Sequence, residues 1–121
     1  MKAYFRALSV ALLMILSITL GAQALADQSN ERHKIIYLLD AVSSSHLIFI
    51  RNGHEYSGQE ARAHLEEKME FFGNPTLSAN DFIDQVASQS STTHSPYYVR
   101  FADGSQIKAN IWLQKKLAEM K

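Results

Sequence analysis

Asn52-Gly53 stands between two β-rich runs, Leu47-Ile48-Phe49-Ile50-Arg51 before it and His54-Glu55-Tyr56 after it. Asn and Gly both accept the positive φ angles of a type I′ turn, whose twist matches that of two antiparallel strands. The pattern predicts a hairpin over about residues 46–56.

The hairpin is flanked by helical patterns. Ile35, Leu38, Leu39 and Val42 repeat at i, i+3, i+4 and i+7, which predicts a helix over 28–43 ended by Ser43-Ser44-Ser45. After the hairpin, Ser57-Gly58-Gln59-Glu60 has capping-box spacing and opens a second helix that runs to about Phe72. Ala61, Leu65, Met69 and Phe72 are expected on its apolar face, bordered by His64 and Lys68. Gly73-Asn74-Pro75 stops it. Ser78-Ala79-Asn80-Asp81 caps a short third helix carrying Phe82, Ile83, Val86 and Ala87, and the polar stretch from Ser88 to Ser95 reads as a loop. Tyr97-Tyr98-Val99-Arg100-Phe101 is β-rich again. Asp103-Gly104 is a second hairpin signal, with a return strand over about Ser105–Ile107. Ile111, Trp112, Leu113, Leu117 and Met120 suit a closing amphipathic helix, with Lys115, Lys116 and Lys121 near its C-terminus. The expected class is α+β: about four helices packed on a small antiparallel sheet made from two hairpins.

All of this follows a different kind of segment. Lys2 and Arg6 are followed by Ala7 to Leu20, an uncharged apolar run about 14 residues long; Gly21 is placed to break the helix, and Ala24-Leu25-Ala26 supplies small residues for a signal peptidase. The reading is a signal peptide over 1–26, cleaved between Ala26 and Asp27, leaving a single small domain over 27–121 and no stable membrane anchor. A spanning helix would need roughly 20 apolar residues. Loss of Lys2 and Arg6 leaves ten basic against twelve acidic side chains, a net charge of −2. That balance speaks against nucleic acid as a partner. The chain contains no cysteine, so the domain relies on its apolar core and not on disulfides.

The motifs of several chemistries are missing. No Gly-x-Ser-x-Gly elbow supports a serine hydrolase. The five histidines, His33, His46, His54, His64 and His94, are scattered without metal-ligand spacing, so neither a metal nor a cofactor is expected. Glu66, Glu67 and Glu70 read as a solvated helix face. One constellation stands out. Arg51 sits at the hairpin tip, and His64 and Lys68 lie one turn apart on the helix that follows. If the hairpin folds back on that helix, Arg51, Asn52, His64 and Lys68 line one polar pocket, joined by Ser90 and Tyr97. Such a set suits a carboxylate or phosphate. The competing arrangement is structural, with Arg51 paired to Glu55 or Glu60 and the Lys68 head in water.

Phe49-Ile50-Arg51-Asn52-Gly53, then Ala61, His64-Leu65, Lys68, Phe82-Ile83, Ala87-Ser88, Ser90-Ser91, Pro96-Tyr97, Asp103-Gly104 and Trp112-Leu113 form an ordered set. Together they resemble the YfeK-like family of small bacterial periplasmic proteins, a domain of unknown function, over about Glu31 to Leu117. The chain departs from that pattern at Thr93-His94-Ser95, where a glycine often precedes the Pro-Tyr pair. The resemblance implies a periplasmic location and brings no activity or catalytic residue. The resulting expectation is a non-enzymatic periplasmic module that binds a protein partner or a small anionic envelope component. The alternatives are an enzyme with its site around Arg51, His64 and Lys68, or a protein acting through self-association. An enzyme calls for a concave pocket with perturbed titratable groups, and a protein-binding module for an exposed apolar patch near Tyr97, Tyr98 or Trp112.

Overall fold

The computed structural model describes residues 2–120, with side chains from Gly21 onward. Two units divide the chain, Met1–Asn30 and Glu31–Lys121. Helix α1 spans Lys2–Ser44 and passes through Gly21 without the expected break. Most of the leader read over 1–26 lies outside the described side chains. Among the described residues, no helix is long and apolar enough to cross a membrane.

In the second unit, α1 buries Ile35, Leu38, Leu39 and Val42, the stripe its spacing predicts. Strands β1 (Ile48–Arg51) and β2 (His54–Tyr56) form the first hairpin. Asn52 and Gly53 have φ of 50° and 75°, as a type I′ turn requires. Strands β3 (Tyr98–Arg100) and β4 (Gln106–Lys108) form the second, and β1 pairs with β3 to give one antiparallel sheet in the order β2-β1-β3-β4. The second hairpin differs from expectation. Its loop is Ala102–Gly104, closed by a Phe101 N–H to Ser105 carbonyl bond, and there only Gly104 takes a positive φ. It is a three-residue loop rather than a two-residue Asp-Gly turn, so the return strand starts one residue late.

The register sets the two faces. Tyr56 lies opposite Phe49, Phe49 opposite Val99, and Val99 opposite Ile107, forming the row that meets the helices. Side chains alternate along a strand, so Arg51 leaves β1 on the Phe49 side, whereas Glu55, opposite Ile50, leaves on the other.

Helix α2 covers Gly58–Phe72 with its capping box formed and Gly73 left-handed at its end. Its inward face is the expected one except at its C-terminal end, and it is widened toward His64 and Lys68. Leu65 is buried and Ala61 and Met69 are half-buried against the core, as expected, whereas Phe72 is exposed; the bordering Lys68 is buried and His64 half-buried. Helix α3 begins at Ala79–Asp81, capped by Ser78, and widens into a π-helical turn over Phe82–Val86 that buries Phe82, Ile83 and Val86. Helix α4, Ala109–Glu119, buries Trp112 and Leu113 but leaves Ile111 exposed. The ring of Trp112 meets Phe49 edge-on with centroids 5.8 Å apart. The fold is α+β, four helices on a four-stranded antiparallel sheet.

Candidate functional site

The β1 register aims Arg51 at α2, where residues 61, 64, 65 and 68 share a face. Arg51 Nη1 lies 2.9 Å from His64 Nδ1 and 2.7 Å from Nε2. A neutral imidazole has a single acceptor nitrogen, so one of these contacts is a donated hydrogen bond. Arg51 Nη2 donates to the Tyr56 hydroxyl at 3.2 Å, and the guanidinium stands over the Tyr56 ring at 5.2 Å. Neither carboxylate of the structural alternative holds it. Glu55 pairs with Arg100 on the far face of the sheet, and Glu60 accepts from the Ser57 N–H in the capping box. Among the described residues, no carboxylate pairs with Arg51.

Behind this pair lies Lys68, only 9% exposed. Its ammonium is not in water, as the structural alternative had it. Nζ donates to the Gln89 carbonyl at 2.7 Å and to the Tyr97 hydroxyl at 3.2 Å. Tyr97 Oη is also 3.4 Å from His64 Nε2, which links Arg51, His64, Tyr97 and Lys68 in one chain of contacts. Asn52 donates to Ser90 Oγ at 3.3 Å and accepts from Thr93 Oγ1 at 2.6 Å, clamping the hairpin tip to the 88–95 loop.

All six residues singled out in the sequence thus gather at one place, but they divide by depth. Arg51, His64 and Tyr97 line a cavity of about 360 Å³ under the hairpin, floored by Phe49, Leu65, Ala87 and Leu113. Lys68, Asn52 and Ser90 stand outside its lining and support it. Tyr56, Glu60 and Glu67 also line it. Tyr56 was legible in principle: a two-residue turn after Arg51 places it opposite Phe49, on the cavity side. Gln89 acts through its backbone and leaves no mark in a sequence. Of the three residues expected near an exposed apolar patch, Tyr97 and Trp112 are buried and Tyr98 is half-buried.

The environment shifts three of these groups. Burial, then the charges of Arg51 and Lys68, hold His64 below the usual imidazole range, against a weaker upward pull from Glu67. Burial and then Arg51 lower the Lys68 ammonium. Burial raises the Tyr97 phenol, partly offset by Arg51. These shifts favour an uncharged imidazole and a protonated phenol at neutral pH, beside the Arg51 guanidinium. Arg51 and the Tyr56 and Tyr97 hydroxyls bring donors to the lining, and Glu60 and Glu67 bring acceptors.

Residues 29–121 match a family described as Family of unknown function (DUF5329). The chain belongs to this family. It is also 37% identical, over 89 residues covering 73% of each chain, to a protein of Salmonella typhimurium strain LT2 described as Uncharacterized protein YfeK. The resemblance read from the ordered motifs is therefore to the right family. No solved structure matches.

Proposed function

We propose that the protein is an exported, non-enzymatic binding module of the bacterial periplasm that takes a small anionic ligand at Arg51, His64 and Tyr97. The observation that carries the reading is Arg51: a guanidinium on the wall of a preformed cavity, whose hydrogen-bond partners among the described residues are the His64 imidazole and the Tyr56 hydroxyl. Arg has five N–H donors in a planar fork that fits a carboxylate, and most of them are unspent here. Lys68 holds Tyr97 in place from behind, and the Asn52–Ser90–Thr93 clamp fixes the tip that carries Arg51.

Titration of the purified protein with acetate and with inorganic phosphate, followed by NMR, tests this. Saturable shifts at His64 and Tyr97 that vanish in Arg51→Gln are expected, and anions without effect on either residue would overturn it. Export rests on the leader pattern of residues 1–26. Intact mass of periplasmic protein is expected to begin at Asp27; a full-length membrane-bound species would contradict that.

The enzyme reading draws on the same His64, kept neutral and so able to accept a proton. Two features weigh against it. The Lys68 ammonium is turned to Gln89 and Tyr97, and the Tyr97 phenol is held protonated, leaving His64 as the one base on the cavity wall among the shifted groups. Recovery of bound ligand unchanged after incubation distinguishes binding from turnover.

A further inference from the structure

The mouth and the floor of the cavity differ in kind. Its polar groups gather where β1 meets α2, while Phe49, Leu65, Ala87 and Leu113 make the interior, all of them buried core side chains. Burial of a hydrophilic anion there would strip its water without replacing it. The space is sizeable. At about 30 Å³ per water, 360 Å³ is room for on the order of a dozen small groups.

Charge narrows the choice further. Arg51 is the one fixed cation lining the cavity, since Lys68 lies behind Tyr97; Glu60 and Glu67 also line it, both exposed, the Glu60 carboxylate accepting from the Ser57 N–H. A single guanidinium fork is filled by one carboxylate, and the two acidic side chains add a repulsion that grows with the ligand's charge.

We infer that the ligand is a free monocarboxylic acid with an apolar body, its carboxylate on the Arg51 fork and its body in the cavity between β1, α2 and α4. The inference rests on the anion-binding reading above and adds what fills the interior. Tyr97 and Tyr56 supply neutral hydroxyls beside the fork, and Ala87 and Ala109, small where a larger side chain would fill the space, leave room for the body.

Isothermal titration of the purified protein with acetate, butanoate, hexanoate and octanoate tests this, with octanol and inorganic phosphate as controls. Each methylene buried is expected to tighten binding by about fourfold, the equivalent of ~0.8 kcal/mol. Octanoate should exceed octanol by tenfold or more, and Arg51→Gln should remove that difference while leaving octanol binding in place. Ala61→Leu, which fills the cavity from α2, should flatten the chain-length series without loss of acetate binding; a denaturation midpoint confirms that this variant folds. Acetate and phosphate binding with no gain along the series would overturn the apolar body and leave the anion site standing. Octanol binding as tightly as octanoate would overturn the anion site, and with it this inference. No heat with any of these compounds would overturn both.

Discussion

His64 is the residue whose chemistry depends most on its neighbours. With its folded pKa below the unfolded value of about 6.5, the native state binds fewer protons than the unfolded chain as the pH falls through that value. Stability therefore rises with pH across this window and is lost on acidification. Arg51 and Lys68 push in that direction and Glu67 opposes them, while Glu60 and Tyr97 share the cavity wall. Arg51→Gln removes one of the two cations, so the NMR titration of His64 is expected to move upward and the loss of stability between about pH 7.5 and 5.5 to shrink. Because no carboxylate among the described residues pairs with Arg51, the same variant should keep its stability within about 1 kcal/mol of the parent, near the low end for a hydrogen bond left unmade. A strongly destabilised Arg51→Gln with an unmoved His64 would show that the arginine serves the fold alone. The gathering of Arg51, His64 and Lys68 was legible in the sequence because strand alternation and helical spacing are local rules. Their depth was not. Whether a lysine beside an apolar stripe snorkels or is swallowed depends on the 88–95 loop, whose Gln89 carbonyl receives it.

Two glycines separate the effects of conformation and space at the level of elements. Gly53 has φ of 75° and open space where a Cβ would stand, so Gly53→Val carries only the conformational penalty. A β-branched residue there is expected to cost on the order of 1–2 kcal/mol, read as a lower thermal midpoint. Gly58 is the reverse. In the first turn of an open helix, alanine in place of glycine would be favourable or neutral. Here a Cβ would lie 2.3 Å from the Val42 carbonyl oxygen of α1, so Gly58→Ala is expected to destabilise by about 1–3 kcal/mol, as overpacking does. A neutral or stabilising Gly58→Ala would mean that α1 and α2 yield at this contact. The first hairpin, the α2 capping box and its left-handed Gly73 were readable because each is fixed within a few residues. The inward face of α2 is wider than expected because it takes in His64 and Lys68, polar residues that hydropathy places at its border, and it loses Phe72 at its end. The π-helical turn over Phe82–Val86 has no pattern of its own; it is held by the Ala87 N–H on the Phe82 carbonyl and the Ser88 hydroxyl on that of Ile83.

The whole molecule joins a core drawn from distant segments, and that is why the cavity could not be read in advance. Ala87 and Ala109 lie far along the chain from the first hairpin, and the β1–β3 pairing together with the Asn52–Ser90 and Lys68–Gln89 bonds brings their segments to it. Among the described residues, every buried apolar side chain, from Ile35 to Leu113, belongs to the unit Glu31–Lys121. The first tertiary tie in that unit is Glu31. Its Oε2 accepts from the Ala79 N–H at 2.7 Å and its Oε1 from Lys34 Nζ at 2.9 Å, and these bonds, the first of them chiefly, hold its carboxyl below the usual range. Stability from a depressed carboxyl is present above its unfolded pKa and is lost as the pH falls through the folded one. A chain of residues 27–121 keeps the core and this tie, and is expected to unfold in one cooperative transition. A chain starting at Ile35 keeps the core stripe but orphans the Ala79 N–H at the start of α3, which costs about 1–3 kcal/mol. In a domain of this size each kcal/mol moves the midpoint by about 4–8 °C, so the shorter chain should melt roughly 5–20 °C below the longer at pH 7. The gap should narrow in acid, once Glu31 is protonated in both states and the tie contributes less. Thermal melts of the two chains at pH 7 and near pH 3 measure it. Equal midpoints at pH 7 would remove Glu31 as an anchor, and a 27–121 chain without a cooperative melt would mean that the core needs residues before Asp27.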